Sequence, residues 1–108
     1  MSVSVDTKPT PVIFRCWPGG DVVALFPSLA GNYTGSECVS YEHIGQHSAA
    51  SLPHVMKRTR AARLAEYVEL KKELECIGYV LGVRGRETEP MRSARRKMAA
   101  EWMQPIPC

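Results

Sequence analysis

The run VIFRCWPGGDVVALFP, residues 12–27, constrains the fold of this chain more than any other stretch. Two segments rich in β-branched and aromatic residues flank three turn residues, the signature of a hairpin. Pro18 presets φ at the first corner, and Gly19 and Gly20 can take the positive φ of a three-residue loop with a bulge. Alternation sets Val12, Phe14 and Cys16 on one face and Ile13, Arg15 and Trp17 on the other. The second segment, 21–26, is apolar almost throughout, which suits a central strand. Pro27 is expected to end it, because proline donates nothing to a ladder.

Residues 27–37, PSLAGNYTGSE, read as loop. CVSYEHI predicts a third strand, with Val39, Tyr41 and His43 alternating against Cys38, Ser40, Glu42 and Ile44 until Gly45 breaks it. GQHSAASLP reads as a second loop and HVMKRT as a short fourth strand. The spacing of Tyr67, Leu70, Leu74 and Ile77, with Leu64 at the stripe's edge, predicts a helix over 61–77, capped by Gly78. YVLGVR then returns as a last strand. Beyond it, Pro90 suits a first helical turn, and Met91, Ala94, Met98 and Trp102 fall on one stripe of a tail helix.

Assembled, these elements predict an α+β fold. An antiparallel sheet of four to five strands, in the order β-β-β-(β)-α-β, carries one main helix and a helical C-terminal tail. The division is a flexible leader over 1–10, a single domain over 11–86 and a basic amphipathic tail over 87–108. One helix stripe covers one sheet face, so the other face is left to the tail or to a partner.

No stretch approaches the roughly 18 apolar residues of a membrane span, and the apolar stripe of the tail is narrow for lying on a membrane surface. The first residues lack the basic start and apolar centre of an export signal, so a cytoplasmic setting with free thiols is expected. Charge is uneven. Residues 1–56 carry Lys8 and Arg15 against Asp6, Asp21, Glu37 and Glu42, a balance of −2, while residues 57–108 carry +5, which together give the net charge of +3. A basic second half permits contact with nucleic acid or an acidic protein.

SYEHIGQH, residues 40–47, is the densest polar patch: Tyr41, His43, Gln46 and His47 form a cluster of unassigned role. Cys38, His43 and His47 are spaced C-x4-H-x3-H, a weak match to zinc ligation because no second close-set pair accompanies it. A Cys–His nucleophile can be drawn from the same residues, but no hydrolase elbow, phosphate loop or zinc-protease helix is present. No cofactor is expected, and the balance favours a non-enzymatic module. Three routes to function remain. A protein partner, or self-association, would use Met91, Met98, Trp102 and Trp17, since methionine and tryptophan suit adaptable docking faces. Nucleic acid would use Arg58, Arg60, Arg63, Arg92, Arg95 and Arg96, with aromatic rings stacking on bases. A metal- or thiol-dependent enzyme would centre on His43 and His47.

The pattern Phe14-Arg15, Gly20-Asp21, Ala24-Leu25-Phe26-Pro27, then Ser40-Tyr41, His43 and Gly45-Gln46-His47 resembles a group of small uncharacterised proteins of bacteria, their phages and plasmids. The resemblance covers about residues 12–86 and stops before the tail. It implies that the octapeptide belongs to the shared domain, and that the setting is a prophage or mobile element. It transfers no activity, cofactor or substrate. KRTRAARLAEY departs from the group, lacking its acidic first helical turn.

Overall fold

The computed structural model describes residues 8–42 and 46–102. Three strands open the chain: β1 (Thr10–Cys16), β2 (Val22–Ala30) and β3 (Cys38–Glu42). β4 (Gln46–Ala50), α1 (Leu52–Arg58) and β5 (Arg60–Ala61) follow. α2 (Leu64–Ile77), β6 (Leu81–Val83) and α3 (Glu89–Trp102) complete it. The sheet runs β4-β3-β2-β1-β5, with β6 also on β1. All pairings are antiparallel except β1–β6, which is parallel. The α+β class, the main helix and the tail helix are as the sequence predicts, with one strand more than the upper count.

The hairpin closes as its residues dictate. Trp17 N–H donates to the Asp21 carbonyl and Gly20 N–H to the Trp17 carbonyl, both at 2.8 Å, with Gly20 at φ +101°. At the end of α2, Gly78 takes φ +126° and its N–H reaches the Leu74 and Glu75 carbonyls.

Four local expectations are corrected. β2 runs through Pro27 to Ala30, because the register with β3 jumps from Phe26↔Val39 to Ala30↔Cys38 and leaves Pro27 outside the ladder. QHSAA is a strand, not a loop: it lacks β-branched residues, but β3 offers it a full antiparallel register. HVMKRT is not a strand; most of it lies in α1, where Pro53 sits in the first turn, which does not need its missing N–H. Residue 10, read as outside the domain, belongs to β1, where Thr10 pairs with Leu81.

β1 and β2 are buried on both faces. On one, Val12, Phe14, Ala24, Phe26 and Tyr41 pack with Leu70 and Leu74 of α2. Phe14 stacks on Tyr67 at 4.3 Å, and Phe26 on Tyr79 at 4.9 Å. On the other, Ile13, Val23, Leu25 and Cys38 pack with Leu52 and Val55 of α1. α3 packs on β2, with Arg95 bonded to the Pro27 carbonyl and Met98 to the Ala30 nitrogen. Its inward stripe is Met91, Arg95 and Ala99, not the Met91–Ala94–Met98–Trp102 line, and Ala94 is exposed.

Arg95 is the pin of this docking. Its guanidinium donates to the Pro27 and Gly35 carbonyls, each at 2.7 Å, and pairs with Glu87. Arg95→Ala leaves the Glu87 carboxylate to Arg92 and removes the donors of two carbonyls, so it lowers stability by about 2–4 kcal/mol. Exposed Arg96→Ala stays within about 0.5 kcal/mol. Urea unfolding of the two variants beside the parent checks both values.

Candidate nucleic-acid interface

Arg15 leaves β1 on the α1 side and organises this region. Its Nε donates to Thr59 Oγ1 at 2.9 Å, and its Nη2 donates to the Thr59 and Met56 carbonyls at 2.6 and 3.1 Å. The last carbonyls of a helix lack intrahelical donors, so a cation there both satisfies them and complements the helix dipole. The end of α1 is thereby fixed beside the β1–β2 turn. Lys57 and Arg58, the last two residues of α1, come next to Trp17.

Two clefts meet at Trp17. One, of about 320 Å³, is lined by Trp17, Pro18, Gly20, Lys57, Arg58 and Arg60, with Cys16 and Thr59 beneath. The other, of about 310 Å³, is lined by Trp17, Val23, Ser40, Glu42, Ser48 and Val55, with Ala49 and Ala50. Ser40 and Ser48 are cross-strand partners, which sets both on one face of the sheet. The indole is half-buried, and its Nε1–H donates to Glu42 at 3.1 Å, which fixes the ring between the clefts.

The cations of the first cleft differ in freedom. Arg60 forms a two-point pair with Glu66, at 2.8 and 2.6 Å, and Glu66 also accepts the Arg63 backbone N–H at 2.8 Å. These contacts hold the Glu66 carboxyl down at about 2. Arg58 lies 3.0 Å from His54 Nδ1, within α1. Lys57 and Arg58 are both exposed. α3, packed on β2, adds exposed Arg96 and Lys97, whereas α2, on the face opposite α1, carries Glu66, Glu69, Glu73 and Glu75 against Lys71 and Lys72. The end of α1 is thus basic, and α2 across the sheet is on balance acidic.

The other sequence candidates disperse. Arg63 is exposed at the start of α2, Arg92 pairs with Glu87 and Glu89, and Arg95 is buried. Met91 is buried, and Met98 is half-buried with its sulfur 3.3 Å from the Ala30 nitrogen. Trp102 is exposed, edge-on to Tyr33 at 5.9 Å. The Met–Trp stripe is therefore split: Met91 and Met98 serve the fold, while Ala94 and Trp102 are exposed.

His43 lies outside the described residues, as does the Gln46 side chain. Tyr41 and His47 are register partners with rings 4.8 Å apart. His47 Nε2 is 2.9 Å from the Tyr79 hydroxyl, and the Tyr41 hydroxyl donates to Glu73. That bond to a carboxylate raises the Tyr41 pKa. These contacts tie β3 and β4 to α2 and to the segment after it. Cys38 belongs to the opposite face, so it and His47 do not converge, and among the described residues no three His, Cys, Asp or Glu side chains could hold a metal ion. No helix among the described residues is long and apolar enough to cross a membrane.

Sequence reasoning missed Ser40, Ser48 and Glu42 as one wall, because the signal is the β3–β4 register. It also named Arg58 and Arg60 without the strand residue Arg15, which fixes the end of α1. Comparison with protein-family models, curated proteins and solved structures finds no match to this chain.

Burial pushes the Cys38 thiol up to about 11, so it stays protonated at neutral pH, and Cys16 is buried with it. Cys76 is exposed. Peptide mapping after brief alkylation at pH 8 should find Cys76 modified at least tenfold faster than Cys38, roughly as thiolate fraction and access dictate. Equal rates before unfolding would contradict the packing of β3.

Proposed function

We propose that the chain is a small non-enzymatic binding module whose partner is nucleic acid, engaged through the basic end of α1 beside Trp17. The observation that carries this reading is the cleft that Lys57, Arg58 and Arg60 line together with Trp17. Phosphates are bound by clustered Lys and Arg with release of counterions, and the affinity then falls steeply with salt. The acidic face of α2 repels the same ligand and so orients it.

Binding of mixed-sequence DNA or RNA at about 50 mM salt should weaken by roughly 10- to 100-fold by about 200 mM, as two to four phosphate contacts dictate. The double variant Lys57→Glu, Arg58→Glu should flatten the log–log salt dependence by roughly one unit per lost phosphate contact. Lys72→Glu, on the α2 face, should leave affinity unchanged. Fluorescence anisotropy over a salt series measures all three. Absence of binding at low salt overturns the proposal.

A protein partner is the second reading, and β4 favours it. This strand ends the sheet, and its residues, Gln46 to Ala50, include no proline, lysine or acidic side chain to discourage an added strand. Strand addition by another chain would slow hydrogen exchange at the β4 amides. Exchange that stays at its free rate beside a candidate partner removes that partner.

A further inference from the structure

The two clefts beside Trp17 differ in chemistry, and their difference fits the two ends of one nucleotide. The first offers exposed Lys57 and Arg58. Arg60 shares that cleft but is already held by Glu66. The second has apolar walls from Val23 and Val55, hydroxyl-bearing Ser40 and Ser48, and the Glu42 carboxylate. Between them stands an indole whose orientation is set by its bond to Glu42.

We infer that this is a single-stranded nucleic-acid site, in which an unpaired base stacks on Trp17 in the second cleft while its phosphate lies against Lys57 and Arg58. The inference rests on the nucleic-acid reading and narrows it to a strand class. Stacking on an aromatic ring needs a base free of its duplex neighbours. The serine hydroxyls can donate or accept at a base edge, and Glu42 can accept from an exocyclic amino group. A volume of about 310 Å³ is on the scale of a small-ligand pocket. A duplex presents no free base to the second cleft and would meet only the cations.

The test uses the full chain carrying Trp102→Phe, so that Trp17 is the only tryptophan. A mixed-sequence single-stranded 12-mer, the blunt duplex of the same sequence and heparin are titrated at low salt, with affinity read by calorimetry in every variant and quenching read by fluorescence where Trp17 is present. The single strand should quench Trp17 fluorescence and bind about tenfold more tightly than the duplex, in line with the worth of one stacked base. Heparin should bind without quenching. Trp17→Leu should remove the single-strand advantage while leaving heparin affinity unchanged, and Trp17→Phe, which keeps a ring, should retain part of it. Far-ultraviolet circular dichroism and the urea midpoint confirm that each variant folds. Equal affinity for single strand and duplex, unaltered by Trp17→Leu, overturns this inference and leaves the broader proposal standing. Failure of all three polyanions to bind overturns both.

Discussion

The two central strands have no solvent face. Val12, Ile13 and Phe14 in β1, and Val23 to Phe26 in β2, are consecutive buried residues whose side chains alternate across the sheet. Each fully buried aliphatic or aromatic side chain is worth about 1.5–3 kcal/mol, so both faces demand a cover. α2 meets one demand. The other falls to α1, while α3 packs on β2, and these obligations decide where much of the basic second half of the chain goes. α1 must set Leu52 and Val55 inward, which turns Lys57 and Arg58 outward beside Trp17. α3 must set Met91 and Ala99 inward, which leaves Arg96 and Lys97 at the surface. The outward setting of these cations is a by-product of covering the strands.

Arg95 shows how such a cover is made specific. A methionine in its place would bury comparable apolar surface, yet would leave the Pro27 and Gly35 carbonyls without these donors. The guanidinium supplies directed bonds to the distorted end of β2, where the register shift takes Pro27 out of the ladder. Burying that charge is tolerable because Glu87 accompanies it and two carbonyls share its protons. Arg15 does comparable work at the end of α1 with Thr59 and Met56.

Much of the architecture is written locally. PGG specifies the hairpin turn, the alternation of Val39, Tyr41 and Ser40 specifies β3, and the Leu70–Leu74 spacing with Gly78 specifies α2 and its end. Where local reading failed, tertiary pairing had overridden propensity. QHSAA becomes a strand only because β3 is already in place. α1 begins without a side-chain cap at Ser51 or an acidic first turn, so nothing but Pro53 marks its start. In the RSARRK run Arg95 looks like its neighbours; only the docking of α3 distinguishes it, and charge alone gives no hint of burial. The candidate site was legible as ingredients, Trp17, Arg58 and Arg60, but not as an arrangement. Its geometry depends on pairs distant in sequence, such as Arg15 with Thr59 and Trp17 with Glu42.

β1 has a divided outer edge. β5 pairs with its last residues from one direction, opposite Arg15 and Cys16, while β6 runs parallel to its first residues, setting Leu81 beside Thr10. α2 is slung between those two short strands. During synthesis the hairpin and β3 can assemble early, yet that flank must wait until the chain past Val83 has emerged. A ribosome carrying this protein thus holds, for several seconds at ordinary elongation rates of about 5–20 residues per second, a nascent sheet with one long raw border. The brevity of β5 and β6 means that two small stitches, placed late, finish the hem.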